Sequence, residues 1–270
     1  MYRTILVPVQ EPSEVEPLVR FAATLLESDG EIRVLHIIPT TTLPQVTREW
    51  RASVHMVVPA HEAGAALDVR VDPEVRAAVD VPGEILDSAE THGVDAILLT
   101  LRGNRRSRNP FVGHTASGVL HHARSAVLVL NRLALLADRI PRVLVPTFRS
   151  DPPASRMKLA EDIAIRHDGV PVVLLSLGVG GPGGEREPVE TQSPRGVPII
   201  HRRAVYPPSI LGRRRRLPEV ILQAAARERY GLVLVGEDPG RPGGPLLTRR
   251  FLEELFRAAP CPVLALRDPA

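Results

Sequence analysis

The residues best suited to chemistry lie in one loop, between a predicted strand at 96–101 and a predicted helix at 115–122. Gly103 and Gly113 would let the backbone approach an anion closely, and the start of the following helix favours negative charge. The same glycines could instead only make turns. Four arginines of this loop could neutralise a triphosphate or only keep an exposed loop solvated. They are Arg102, Arg105, Arg106 and Arg108.

A second group of positive charges lies in the other half of the chain. It could contact nucleic acid, anionic lipid or an acidic partner, although a solvated face is the commoner explanation. No series of aromatic residues interleaves with it, so the stacking platform of a single-strand binder is absent. We predict no specific nucleic-acid partner. The group consists of Arg202, Arg203 and Arg213–Arg216.

The sequence contains no recognisable catalytic constellation. The segment GHTASG at 113–118 is not a nucleophile elbow, no paired carboxylates share a motif, and no Walker loop is present. His121 and His122 point to different faces of a helix, so we predict no metal site there. Cys261 is the single cysteine and is expected to be a small core residue. We predict a protein that is not an enzyme, with a weak ATPase activity left open.

Composition indicates an α/β protein. Apolar residues make up 44% of the chain and aromatic ones only 3%, so the core must consist of aliphatic side chains, which suits parallel strands covered by helices. The net charge is only +3. No apolar run approaches ~18 residues, so we predict no membrane insertion and a cytoplasmic location.

The chain repeats itself at a domain-sized period. Two segments of the first half match segments of the second at an offset of 136 residues, and a third matches at 138. Such a period signals duplication and predicts two domains, residues 1–138 and 139–270. The matching pairs are Val81–Thr100 with Leu217–Gly236, His121–Leu130 with Arg257–Leu266, and Ile5–Pro8 with Val143–Pro146.

In each half, predicted strands alternate with predicted helices, and this pattern predicts a parallel sheet with right-handed crossovers. The first half is expected to have a turn at Ser28–Gly30, a long polar stretch after the second strand, and a third strand near 67–71. The second half carries a Pro/Gly/Arg-rich stretch at 178–196, expected to be a mobile loop. Residues 131–138 are too apolar for a flexible linker, so the domains are expected to pack together. The first half's predicted strands are 4–9, 33–38, 67–71, 96–101 and 126–130, and its predicted helices are about 14–27, 82–92 and 115–122.

Several segments together resemble the universal stress protein family. That resemblance implies two tandem flavodoxin-like or Rossmann-like domains, each a five-stranded parallel sheet with helices on both faces. It also implies pairing through the last strands, here an intramolecular pseudo-dimer, with a further homodimer left open. The segments are ILVPV at 5–9, VLHII at 34–38, VDAILLT at 94–100, GHTASGVLHHA at 113–123, VLVL at 127–130 and APCPVL at 259–264.

The family's phosphate motif is glycine, two residues, glycine, nine residues, glycine, then serine or threonine. Thr100, Gly103, Gly113 and His114 stand at those positions with the spacing intact. Thr100 would cost about 1 to 2 kcal/mol if its backbone had to be left-handed. A protonated His114 could still donate to phosphate, and Thr115 could supply the hydroxyl one residue later.

The resemblance also implies how an adenine nucleotide would be held. Gln10 stands where binding members have an aspartate that reaches adenine and ribose, a loss of about 1 kcal/mol. Ile37 would line the ligand through its backbone. ATP is the cofactor so implied, with Mg²⁺ only if ATP binds. The alternative is a regulatory module without nucleotide, acting on a separate membrane transporter such as a permease or antiporter, so the partner is an adenine nucleotide or a protein.

The second copy departs further from the family's pattern. Phe148 stands at the aspartate position, and only one glycine of the motif remains in register. We therefore predict that this copy binds no ligand. Its four motif positions are Gly236, Pro239, Arg249 and Arg250.

Overall fold

The computed structural model describes residues 1–39, 54–101, 114–131, 139–148, 152–179, 187–206, 213–237 and 249–269. These residues form two compact units. The first consists of residues 1–101, 114–129 and 267–269, and the second of residues 130–266.

The first unit alternates strands with helices. Its strand order is β3-β2-β1-β4-β5. β1 pairs in parallel with both β2 and β4, and β2 pairs in parallel with β3. The predicted α/β class with a mostly parallel sheet is therefore confirmed. The strands are β1 (Tyr2–Val9), β2 (Leu26–Pro39), β3 (Arg70–Ala78), β4 (Ala96–Leu101) and β5 (Ala126–Asn131), and the helices are α1 (Pro12–Ala23), α2 (Val54–Leu67), α3 (Val81–Thr91) and α4 (His114–His122).

The strand order determines which helices share a face. The connections from β1 to β2 and from β2 to β3 advance in one direction across the sheet, and those from β3 to β4 and from β4 to β5 advance in the other. Right-handed crossovers then place α1 and α2 on one face and α3 and α4 on the opposite face. In agreement, α1 packs against α2, and α3 packs against α4.

The second unit repeats this topology with one addition. Its strand order is β11-β10-β6-β7-β9-β8, in which β9-β7-β6-β10-β11 corresponds to β3-β2-β1-β4-β5 of the first unit. β8 is antiparallel to β9, so the five expected parallel strands carry one extra edge strand. The elements are β6 (Val143–Thr147), α5 (Ala154–Arg166), β7 (Val172–Val179), β8 (Val189–Gln192), β9 (Pro198–Tyr206), α6 (Arg213–Arg227), β10 (Leu232–Gly236), α7 (Arg249–Ala258) and β11 (Val263–Arg267).

The turn expected at Ser28–Gly30 is wrong. α1 ends at Ala23, and these residues lie within β2. Tyr2 pairs with Leu26 but Thr4 pairs with Glu31. β2 therefore holds three more residues than β1 over this interval and bulges out of the pairing. The segment is extended, although Ser28, Asp29 and Gly30 are residue types that are common in turns. These residue types explain why the sequence predicted a turn.

Two other expectations are also corrected. The long polar stretch expected after the second strand contains α2, so Leu67 ends a helix, and β3, expected near 67–71, begins only at Arg70. The buried face of α2 consists of Met56, Ala60 and Ala63, which is a weak apolar signal. The stretch at 178–196 contains the strand β8 and is not simply a loop. Its residues 180–186, like the segment at 132–138, lie outside the described residues.

Aliphatic strand residues form the core of each unit, as the composition predicted. Ile5, Leu6 and Val7 of β1 are fully buried, and so are Leu144 and Leu234 of the second unit. Cys261 is 6% exposed, which confirms the expected core position.

Candidate functional site

The carboxyl ends of β1 and β4 form the point at which the first unit's strand order reverses. In doubly wound sheets, ligands bind in the crevice at such a point, because the flanking connections diverge to opposite faces. Val9 pairs with His36, and Leu6 pairs with Ile97. One residue beyond the pair of Val9 and His36, Gln10 lies level with Ile37. Four residues beyond the pair of Leu6 and Ile97, Gln10 lies level with Leu101, the residue after Thr100. Three of the predicted site residues, Gln10, Ile37 and Thr100, therefore come from neighbouring strands to one edge of the sheet.

Gln10 follows directly on β1, and its side chain is exposed. Its backbone N–H donates to Oε2 of Glu14 over 3.1 Å, and the N–H of Glu11 donates to the same oxygen over 3.2 Å. Glu14 is only 8% exposed and closes a capping box at the start of α1. The start of α1 is therefore neutralised by a carboxylate of its own, and an anionic ligand gains little there.

Thr100 lies in β4 and is half-buried. Among the described residues, only Asp68 and Asp168 are non-glycine residues with positive φ. Thr100 therefore carries none of the strain that a left-handed backbone would cause. Ile37 is 8% exposed.

A side-chain hydrogen bond of His36 connects the ends of β1 and β2. Its Nδ1 lies 3.1 Å from the carbonyl oxygen of Val9, so that nitrogen carries the proton and donates. This bond fixes the backbone one residue before Gln10. His36 therefore has a structural role at this edge.

α4 begins at His114, and Thr115 in its first turn is half-buried. Gly118 allows α4 to approach α3, because a Cβ at this position would lie 2.8 Å from Cβ of Pro82. The second glycine of GHTASG thus serves helix packing. The first, Gly113, and its partner Gly103 lie outside the described residues, and so do the loop arginines. The phosphate-loop assignment stays a prediction.

The two histidines that end α4 satisfy backbone carbonyls of their own helix. Nδ1 of His121 lies 2.7 Å from the carbonyl of Ser117, and Nδ1 of His122 lies 2.9 Å from that of Gly118. Across the described ranges, no group of three or more His, Cys, Asp or Glu side chains is arranged to hold a metal ion. Nor does any helix among them have the length and apolarity needed to cross a membrane.

The carboxyl ends of β6 and β10 in the second unit carry different residues from the corresponding ends in the first. Phe148 follows β6 and is half-buried, and Gly236 ends β10. Pro239 lies outside the described residues, and α7 begins at Arg249 and Arg250. Sequence reasoning missed Arg156 of α5, whose guanidinium lies across this edge and whose contacts are given below. Nothing in the local sequence ASRMK distinguishes this arginine from one on an ordinary helix surface.

A doubly wound α/β unit with polar groups at its switch-point edge defines a class of small binding domains. The model of the universal stress protein family matches residues 1–131. Universal stress protein G of Escherichia coli O157:H7 is 31% identical over 151 residues, an alignment that covers 99% of that protein and 48% of this chain. The chain belongs to the universal stress protein family.

Solved structures share the fold over nearly the whole chain. A universal stress protein from Archaeoglobus fulgidus DSM 4304 is similar with a TM-score of 0.68 at 14% identity, over 98% of this chain and 96% of that one. The cytoplasmic domain of a prokaryotic cation chloride cotransporter is similar with a TM-score of 0.57 at 10% identity, over 100% of this chain and 96% of that one. At these identities the similarity is one of fold.

Proposed function

We propose that this protein is a cytoplasmic binding and regulatory protein of the stress response that binds an adenine nucleotide at the carboxyl edge of its first unit. The observation that carries the proposal is the meeting of Gln10, Ile37 and Thr100 at the point where the strand order reverses. Catalysis is not part of the proposal, because binding and release of nucleotide are sufficient for a regulator.

The donors at this edge suit a nucleotide. The exposed Gln10 amide can both donate to and accept from the adenine and ribose groups. The buried Glu14 carboxylate is turned into the backbone of α1, which lessens its repulsion of phosphates. Phosphates would then bind at the start of α4, through Thr115, His114 and the backbone of Gly103 and Gly113. Mg²⁺ would accompany ATP by way of the phosphates.

Calorimetric titration with Mg-ATP, ADP and AMP tests the proposal. Gln10→Asp restores the family's carboxylate and should tighten binding several-fold, whereas Gln10→Ala should weaken it several-fold. Phe148→Asp is the matched control, because it places the same carboxylate after the corresponding strand of the second unit and should change nothing. The absence of heat and of a thermal shift at millimolar nucleotide, for both the natural chain and Gln10→Asp, would contradict nucleotide binding.

A second candidate is a regulatory module without nucleotide that acts on a separate membrane transporter. The same fold forms the cytoplasmic domain of the cation chloride cotransporter. This candidate predicts no response to nucleotide in the titration and co-purification with a transporter encoded beside its gene. If nucleotide binds and no such transporter co-purifies, this candidate is rejected.

A further inference from the structure

Arg156 is buried inside the second unit at the point where its strand order reverses. The residue is 1% exposed and is among the largest fully buried side chains of the described chain. Nη1 donates to the carbonyl of Pro146 over 3.0 Å, and Nη2 donates to the carbonyl of Glu237 over 2.6 Å. Pro146 belongs to β6 and Glu237 follows β10, two strands that pair in parallel. One guanidinium therefore spans the ends of both strands.

Gly236 makes room for this side chain. A Cβ at this position would lie 3.0 Å from Nε of Arg156 and 3.1 Å from the carbonyl oxygen of Leu266. Gly236 is not among the glycines with positive φ, so the backbone does not need a glycine for its conformation. The close approach of Arg156 and of the Leu266 carbonyl together accounts for the glycine. The residue that sequence comparison aligned with the phosphate motif thus accommodates an internal side chain.

The first unit has a different pair at the corresponding positions. Glu14 is the third residue of α1, as Arg156 is of α5. Thr100 corresponds to Gly236 at the offset of 136 residues. In the first unit, Glu14 is turned into its own helix start, and Thr100 has a Cβ. In the second unit, the long cationic side chain of Arg156 occurs together with Gly236, which has no Cβ. This difference is expected if the two positions depend on each other.

The chemistry of the contacts explains the choice of arginine. The carbonyls of Pro146 and Glu237 lie beyond the residues through which β6 pairs with β10, and a buried carbonyl without a donor is unfavourable. A guanidinium presents several N–H donors in one rigid plane and can serve two carbonyls at once. An apolar residue of similar volume would fill the space but would leave both oxygens without these donors.

We propose that the switch-point crevice of the second unit is a guanidinium-binding site permanently occupied by the chain's own Arg156, which closes this unit to external ligands. The site would accept a small alkylguanidinium cation once the side chain is removed. The proposal stands independently of nucleotide binding by the first unit, since the contacts of Arg156 that carry it lie within the second.

The first test removes Arg156 from the full-length chain and offers a substitute. Arg156→Ala should lower the thermal midpoint by roughly 5 °C or more, and Lys158→Ala, which removes a charge from an exposed position of the same helix, should change it little. Methylguanidinium at ~10 mM should raise the midpoint of Arg156→Ala by about 2 °C, and should not raise those of Lys158→Ala and the natural chain. Equal midpoints for the two variants, or equal responses to methylguanidinium, would overturn the proposal.

The second test is a double-mutant cycle between Arg156 and Gly236. Gly236→Ala should destabilise the natural chain, because the added Cβ meets Nε, and should be clearly less harmful in Arg156→Ala, where that contact is gone. Additive effects would count against the pairing. If Arg156→Ala does not fold, Arg156→Leu serves in its place, since a leucine side chain ends at Cδ and has no atom at the position of Nε. The cost of Gly236→Ala should then fall as well, and an unchanged cost would overturn the proposal.

Discussion

Glu14 and Arg156 show how one helix position takes opposite charges in the two units. Each is the third residue of the helix that follows the unit's first strand, and each is buried. Glu14 accepts hydrogen bonds from the backbone that enters its helix, whereas Arg156 donates to carbonyls that end two strands. At this position one unit therefore has a carboxylate turned into its helix start, and the other has a guanidinium across two strand ends.

The contribution of Glu14 can be measured directly. Glu14→Ala should lower the free energy of unfolding by about 1 to 2 kcal/mol, because two backbone N–H groups lose their acceptor. The matched control is Glu16→Ala, whose exposed side chain only pairs with Arg20 over 2.5 Å and should cost less than about 0.5 kcal/mol. Urea denaturation measures both, and an equal loss for the two variants would show that the cap does not stabilise the chain.

His167 should make stability depend on pH. Burial lowers the pKa of His167 below 6.5, the nearby charge of Arg139 lowers that pKa further, and Asp168 opposes both. Nδ1 of the neutral ring also accepts from the N–H of Ile140 over 3.3 Å. Since the folded chain resists protonation more than the unfolded chain does, this contribution is present above pH 6.5 and is lost as the pH falls towards the lowered pKa.

The measurement compares free energies of unfolding about one pH unit above and one below the ordinary pKa of 6.5. His167→Gln should reduce the loss of stability on acidification, and His55→Gln, at an exposed position, should leave the loss unchanged. An undiminished loss in His167→Gln would exclude this residue as a source of the pH dependence.

At the scale of elements, close backbone approaches decide where the strands lie. Asp95, just before β4, accepts hydrogen bonds from the N–H groups of Arg3 and Thr4 over 2.8 and 2.9 Å. The corresponding residue of the second unit is Gly231, over which Ile140 and Pro141 pack so closely that a Cβ would lie 2.5 Å from Cδ of Pro141. The same junction is thus held by a carboxylate in one unit and by backbone packing in the other.

The bulge of β2 depends on Gly30. A Cβ there would lie 2.7 Å from the carbonyl oxygen of Arg3, which belongs to the neighbouring backbone. Gly30→Ala should therefore cost about 1 to 3 kcal/mol of unfolding free energy, measured by urea denaturation. Gly178→Ala is the matched control in a strand, because its nearest atom, Nε of Arg203, is 3.4 Å away, an ordinary contact. A loss no larger at Gly30 than at Gly178 would refute the close approach.

For the whole molecule, the two units share one topology but differ in the residues at their switch-point edges. The first unit has the exposed Gln10 and the half-buried Thr100 at the switch point, and the second has Arg156 across the same place. The family model matches residues 1–131, which is the part of the chain with the first of these edges. The domain limits of 1–138 and 139–270 remain a prediction.

This asymmetry predicts the stoichiometry of binding. If the first unit alone binds, as proposed, equilibrium dialysis should give about one nucleotide per chain at saturation. Gly113→Leu should abolish binding by blocking the close approach of phosphate, and Arg249→Ala should leave it unchanged. Two nucleotides per chain, or equal effects of the two variants, would show that both units bind.

The sequence by itself determined the α/β class, the repeat of the topology, most strand positions and the candidate edge around Gln10 and Thr100. The class, the repeat and the strands follow from short apolar runs and from their spacing, which are local properties of the chain, and the candidate edge follows from the resemblance to the family. Only the tertiary structure revealed the bulge at Gly30, the helix α2 and the buried Arg156. Each of these depends on atoms that lie far apart in the chain, such as the carbonyls of Pro146 and Glu237, and no local pattern records which side chain will reach them.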